Sequence, residues 1–176
     1  MTDFTLRRIT EADEAAVRLP NQPFKLFGHF IVTRDEAGWQ HHEVLDAEVR
    51  EQTFPEENYQ LADIDAKGFA IGAFAGDDCV ALATFENRWT KYTYLADLKV
   101  NIPQRRLGLA HQLMDFAKPF AQAAGTQGFC TVAQGSNLAA NRFYLNYGFH
   151  IGGFNTNNYF HTRARGETDI YYYLDF

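Results

Sequence analysis

The period of the hydrophobic pattern changes along the chain. In most segments apolar residues alternate or run in short blocks bounded by turn residues, which predicts strands; over residues 109–124 they recur three and four apart, which predicts a helix. Residues 4–9 form the first predicted strand, and Thr10 followed by Glu11, Asp13 and Glu14 starts a weak helix. Residues 27–34 and 39–45 read as a hairpin closed by Asp35, Glu36, Ala37 and Gly38, where Gly38 can take a positive φ. Residues 67–75 and 79–86 make a second pair around Gly76, Asp77 and Asp78. Over residues 92–100, Tyr92, Tyr94, Ala96, Leu98 and Val100 alternate with Thr93, Leu95, Asp97 and Lys99, a strong strand signal.

Leu109, Leu113, Phe116, Ala117, Phe120 and Ala124 then repeat at helical spacing, with His111, Gln112, Asp115, Lys118 and Gln122 on the other face. Pro119 lies inside this pattern and deletes one ladder hydrogen bond, so a kink or an early end near Lys118 is expected. Residues 129–133 form a short strand. Ser136 and Asn137 can cap a helix running to Tyr147 and closed by Gly148. Residues 149–156 and 168–176 are aromatic strands. The order βα, several β, βαβα and ββ predicts a mixed α/β fold, and no repeat or linker divides residues 1–176, so one domain is expected.

Composition narrows the function. The chain of 176 residues is 46% hydrophobic and carries a net charge of -6. That acidic balance opposes nonspecific attraction to nucleic acid or an anionic membrane, so neither is expected as a partner. The first residues hold no apolar targeting region, and the longest apolar stretch, residues 68–76, is far below the roughly 20 residues that span a bilayer, so a cytoplasmic protein is expected. Cys79 and Cys130 sit in apolar strand-like runs without CxxC spacing, as reduced, buried thiols do. The histidines show no zinc-ligand spacing, and no metal site is expected. Residues 43–65 contain Glu43, Asp46, Glu48, Glu51, Glu56, Glu57, Asp63 and Asp65 against the single cation Arg50. This segment either steers a cationic amine or is an ordinary solvated helix and loop.

The junction of strand and helix near residue 105 carries the candidate chemistry. A strand ending at Val100 and turning through Arg105, Arg106, Leu107, Gly108, Leu109 and Ala110 into an amphipathic helix aims the helix's unpaired N–H groups and positive dipole end into the turn. Gly108 lets backbone approach an anion closely, Ala110 is small, and the arginines add positive charge, so a pyrophosphate fits. No GxxxxGK followed by Ser or Thr and no GxGxxG after a strand is present. The plainer alternative is that the arginines solvate a loop and Gly108 eases helix packing.

A second cluster sharpens the choice. Residues 105–110 (RRLGLA) together with 137–149 (NLAANRFYLNYGF) resemble the GNAT superfamily of acyl-CoA-dependent N-acetyltransferases, whose pyrophosphate motif is Arg or Gln, two residues, Gly, one residue, Gly or Ala. Within it the chain is most similar to streptothricin acetyltransferases, through residues 23–28, Trp39, residues 87–95 and residues 152–156. The resemblance implies a central, mostly antiparallel sheet flanked by helices, and acetyl-CoA as acetyl donor. It implies that Arg105, Arg106, Leu107, Gly108, Leu109 and Ala110 hold the CoA pyrophosphate, that the strand edge at Leu98, Lys99 and Val100 pairs with the pantetheine arm, that Asn137 hydrogen-bonds the cofactor, and that Tyr144 is the general acid at the departing thiol. The alternative for Tyr144 is a core aromatic beside Phe143 and Tyr147.

The acceptor implied is a primary amine on a small cationic molecule, of streptothricin type or similar, with a homodimer left open. An alkylamine needs a base, since freeing its lone pair at pH 7 costs about 4 to 5 kcal/mol. Asp97 is the candidate and Glu86 the second; Asp97 can equally form a plain ion pair with Lys99. The chain departs from the streptothricin pattern at Ala96 and Val132, where those enzymes carry acids, and Arg106 replaces a frequent Gly. Two further readings are the same fold acetylating a protein amine, and a catalytically weak acyl-CoA-binding sensor.

Overall fold

The computed structural model describes residues 3–176. Its elements are β1 (Thr5–Arg8), a 3-10 segment (Glu11–Arg18), β2 (Phe24–Asp35), β3 (Gly38–Gln52), α1 (Leu61–Asp65), β4 (Gly68–Ala75), β5 (Asp78–Asn87), β6 (Tyr92–Val100), a 3-10 turn (Ile102–Gln104), α2 (Leu109–Ala123), β7 (Gly128–Gln134), α3 (Leu138–Tyr147), β8 (His150–Asn155) and β9 (Asp169–Asp175). The chain groups into two units. One comprises the chain up to Gln22, Phe54–Phe129 and Asp175–Phe176; the other comprises Pro23–Thr53 and Cys130–Leu174.

In the first unit, antiparallel strands lie in the order β1, β4, β5, β6. Strands β4 and β5 are buried on both faces, which is why they read as near-continuous apolar runs rather than as alternation. On one face Phe69 stacks on Phe85 at 4.8 Å and meets Phe120 of α2 at 5.6 Å. On the other, Ala70, Phe74 and Leu82 pack with Ile9, Val17 and Leu19 from the N-terminal segment and with Leu61 and Ile64 of α1. Each large side chain so buried contributes about 1.5–3 kcal/mol.

Four expectations are corrected. Helix α2 runs through Pro119 to Ala123, so the early end near Lys118 does not occur. Pro119 removes only its own N–H, and the fully buried Ala117 and Ala121 hold the last turns in place. Met114 rather than the exposed Phe116 completes the buried face of α2. The weak helix after Thr10 is a 3-10 segment, irregular at Asp13, whose carboxylate is held by Arg7 at 2.8 and 3.1 Å. Cys79, and Cys130 of the other unit, form no disulfide and are half-buried rather than buried.

In the second unit, the hairpin of β2 and β3 is far longer than its expected 27–45 span. Phe24 pairs with Gln52 and Leu26 with Arg50, so residues 46–52 of the acidic segment are strand, not helix or loop. The reason lies in the partner: β2 buries Leu26, Gly28, Phe30 and Val32 on alternate positions, and β3 extends beside it with charges on its open face. Arg142 neutralises Glu43 there through two hydrogen bonds of 2.7 and 2.5 Å. Strands β7, β9 and β8 are ordered in that sequence, with β8 and β9 antiparallel. Tyr172 of β9 is fully buried, and its hydroxyl donates to Asn141 Oδ1 of α3 at 2.6 Å.

Candidate active site

The turn between β6 and α2 is built to leave donors unspent. Pro103 opens the 3-10 turn, Arg106 takes φ 69 and Gly108 φ 80, two left-handed residues that reverse the chain before Leu109 starts the helix. No side chain caps the first turn of α2, and no acid lies in it. Its N–H groups therefore keep their positive end unneutralised. A side chain at 108 would meet nothing nearer than Gln112 Nε2 at 3.8 Å, so space is open beside the backbone. The turn is pinned from behind, as Arg105 Nε donates to Val100 O at 3.0 Å and Ile102 N donates to Gln22 Oε1 at 2.6 Å. Arg106, Leu107 and Gly108 are exposed. These features fit a diphosphate.

Lys99 does not join this turn. Its ammonium is buried, donating to Glu57 Oε2 at 2.6 Å and to Leu19 O at 3.2 Å, and lying 3.2 Å from Asp97 Oδ2. Burial alone would lower its pKa, but Glu57 and Asp97 raise it. Glu57 is held in turn by Asn21, whose Nδ2 donates to Glu57 Oε1 at 3.0 Å. The Lys99 contact to Asp97 is an ion pair without hydrogen-bond geometry, and Asp97 Oδ2 is buried with no hydrogen-bond partner. Burial pushes the Asp97 carboxyl up to about 6 against the pull of Lys99, with the Glu57 charge adding to the rise. Thr84 stands opposite Asp97 in the ladder. Between them and the next pair, Phe85 with Leu95, the register shifts, and such a bulge re-aims side chains. Tyr59 lies near the same acids, its phenol raised by burial and by the Asp97 and Glu57 charges. Glu86, the second base candidate, is spent on Arg88 at 3.1 Å.

In the second unit, Asn137 is the N-cap of α3, as expected, its Oδ1 accepting from Ala140 N at 3.1 Å. Gly148 closes the helix with φ 113. Tyr144 is buried on α3, its ring 5.5 Å from Phe149 and 5.3 Å from Tyr172. Among the described residues no cluster of three His, Cys, Asp or Glu could hold a metal, and no helix is long and apolar enough to cross a membrane. Burial pushes the Cys79 thiol up to about 11, leaving it protonated at neutral pH and a poor nucleophile.

Residues 34–149 match the model of the acetyltransferase (GNAT) family. The chain belongs to that family. As a GNAT enzyme it is an N-acetyltransferase with acetyl-CoA as its donor. Streptothricin acetyltransferase A of Bacillus subtilis (strain 168) is 22% identical over 172 residues, covering 97% of this chain and 99% of that protein. Streptothricin acetyltransferase of Escherichia coli is 29% identical over 113 residues, 63% of this chain and 64% of that one. Two solved structures share the fold. A Bacillus anthracis str. Ames protein, provisionally assigned as a streptothricin acetyltransferase and bound to acetyl coenzyme A, superposes with TM-score 0.86 at 21% identity over 99% of this chain and 98% of its own. Nourseothricin acetyltransferase gives 0.80 at 22% identity, with 98% of each chain covered.

For this GNAT chain, the turn at 105–110 and the Asp97–Lys99 pair lie together in the first unit, while Asn137 and Tyr144 belong to the second. Sequence reasoning missed Glu57, Asn21 and Tyr59 as neighbours of Asp97. Glu57 was visible only as one acid among many in residues 43–65, and no local spacing links it to a lysine 42 positions away. A groove in the second unit, about 750 Å³ in volume, carries Arg50, Arg163 and Arg165 against Asp46 and Glu167. Both carboxylates there are engaged, Asp46 by His29 and Arg50 and Glu167 by Ser136, so that groove offers a cation little.

Proposed function

We propose that this enzyme transfers the acetyl group to a primary amine of a small cationic acceptor, a streptothricin-type antibiotic or a similar compound. The observation that carries this reading is Asp97: a largely buried carboxylate, 3.2 Å from the Lys99 ammonium and pushed up to about 6 by burial, on the strand that leads into the turn before α2. Likeness over nearly the whole chain to a protein named streptothricin acetyltransferase supports the acceptor class.

Backbone N–H groups of residues 106–110 and the charges of Arg105 and Arg106 hold the diphosphate of acetyl-CoA, which supplies the activated acetyl group. Leu98, Lys99 and Val100 offer their strand edge to its pantetheine arm, and Asn137 adds a hydrogen bond. The Asp97 carboxylate accepts a proton from the acceptor nitrogen. A carboxylate near 6 is ionised at neutral pH, and the nitrogen becomes more acidic as it bonds to carbon, so the transfer is downhill at that stage. Tyr144 Oη donates to the departing sulfur; a phenol near 10 delivers a proton to a thiolate near 8.5 without being ionised at pH 7. Two protons leave the nitrogen, one reaches sulfur, and one is released.

Ala96 and Val132, which replace acids of the streptothricin pattern, favour a second reading in which the acceptor is a different small amine. Labelled acetyl-CoA incubated with streptothricin, simple polyamines and lysine-bearing peptides separates the cases. Transfer to the small cationic amines is expected. Transfer to peptides alone, or acetyl-CoA binding with no acetylated amine, sinks the proposal.

A further inference from the structure

The bulge in the β5–β6 ladder decides which side chains share a face. Thr84 stands opposite Asp97 and Phe85 opposite Leu95, so Ala96 is the extra residue on β6. Cross-strand partners point to the same face, and neighbours along a strand alternate. Thr84 and Glu86 therefore face one way together with their partners Asp97 and Tyr94, whereas Phe85 and Leu95 are buried on the other side. Without the extra residue Tyr94 and Asp97, three positions apart, would point in opposite directions. On the shared face Glu86 and Tyr94 hold one cation between them. The Arg88 guanidinium lies 3.1 Å from Glu86 Oε2, and its Cζ lies 4.3 Å from the centre of the Tyr94 ring. A carboxylate beside an aromatic face suits any guanidinium or ammonium group.

We propose that Glu86 and Tyr94 form a cation subsite for the acceptor, which Arg88 occupies until a second positive group of the acceptor displaces it. The inference rests on the cationic acceptor proposed above and narrows it to a molecule with two cations. Arg88 reaches the subsite from the β5–β6 turn, where Arg88 N donates to Tyr92 O at 2.8 Å and Lys91 N to Arg88 O at 3.1 Å. The side chains of Arg88 and Glu86 are 46% and 36% exposed, so water screens the pair and holds it weakly. The backbone stays fixed while the guanidinium is exchanged. The Tyr59 phenol, raised by burial and then by the charges of Asp97, Glu57 and Glu86, places these acids around one ring. Diagonal neighbours across a ladder, as Glu86 and Asp97 are, lie about 7–8 Å apart, a spacing that a short aliphatic diamine spans with one nitrogen at each carboxylate.

Calorimetry on the CoA-loaded enzyme, comparing 1,5-diaminopentane with 1-aminopentane, isolates the second charge. Wild type should bind the diamine about fivefold more tightly or better. Glu86→Gln should erase that preference and Tyr94→Leu should reduce it, whereas Arg88→Gln should raise it about threefold, because the resident cation no longer competes. Lys91→Gln removes a charge from the same turn outside the subsite, and should change the preference by less than about twofold, as the general field alone does. The two partners of one ion pair thus act in opposite directions. A purely structural pair would instead lower the melting temperature in both variants and leave the preference alone. Where an acetylated amine such as streptothricin binds and the simple amines do not, its KM gives the same reading, up in Glu86→Gln and down in Arg88→Gln. Equal binding of the two amines by wild type, an unchanged preference or KM in folded Glu86→Gln, or a lowered preference in Arg88→Gln overturns the subsite while leaving the acceptor class standing. An enzyme that neither binds nor acetylates any small cationic amine removes the acceptor class itself and the subsite with it, so the two failures are distinguishable.

Discussion

Asp97 and Tyr144 make opposite demands on their surroundings, and each leads to a prediction. Asp97 is ionised at neutral pH in a site that disfavours the charge. Its folded pKa lies above the unfolded value near 3.8, so the folded state binds the proton more tightly, and the stability this supplies at low pH is lost as pH rises from about 4 through about 6. Asp97→Asn should therefore gain stability relative to wild type as pH rises from 4 to 7, reaching about 3 kcal/mol, when unfolding in urea is followed across that range. The same change should lower kcat/KM by roughly 10²–10⁴-fold. A variant that loses both stability and activity at pH 7 would make Asp97 a structural ion-pair partner only. Tyr144→Phe keeps a ring against Phe149 and Tyr172, so packing survives and only the hydroxyl is lost. Turnover should fall about 10²-fold, with the dissociation constant of CoA by calorimetry little changed; an unaltered rate would end its role as acid. In the sequence Tyr144 was one of nine tyrosines, and only the family pattern singled it out.

At the scale of elements, the strand–turn–helix from β6 to α2 was legible because its chemistry is local. Alternation over 92–100, a Gly before a helical repeat and two arginines between them are all short-range signals, and β6 is observed over the same residues. The turn conformation explains a departure from the family pattern: Arg106 sits at φ 69, where glycine is frequent for steric reasons. Gly108 is the more demanding position. A side chain there meets no obstacle within 3.8 Å, so Gly108→Val would act through backbone strain of about 1–3 kcal/mol rather than through a clash. Acetyl-CoA affinity measured by calorimetry should fall at least tenfold in Gly108→Val but only slightly in Gly108→Asn, since asparagine tolerates a left-handed backbone. Equal losses in the two variants would mean that conformation is not what the turn contributes. The end of α2 and the length of the β2–β3 hairpin were illegible for the converse reason. A proline reads as a stop and a run of acids as a solvated loop, until burial of Ala121 on one side and pairing with Leu26 on the other override the local preference.

At the scale of the molecule, net charge acts over distances that no single contact spans. With a net charge of -6, the protein should draw a multiply charged cationic amine, and raising NaCl from about 0.05 to 0.5 M should increase KM for such an acceptor several-fold while kcat changes little, because screening shortens the Debye length to a few Å. A KM indifferent to salt would show that recognition is made by short contacts alone. What the sequence determined by itself was the class of fold, the order of the strands and of the two long helices, the turn between β6 and α2 and the cap of α3 by Asn137, since each depends on residue type and spacing along a few neighbouring positions. What tertiary structure alone decided was the fate of charges. Lys99 belongs to Glu57 and Leu19 rather than to the arginines that follow it, and the Asp97 charge is buried beside it, because partners 42 and 80 positions away arrive only once the chain has folded. Ionic pairing in a desolvated interior is set by distance in space, and that quantity is absent from the order of residues.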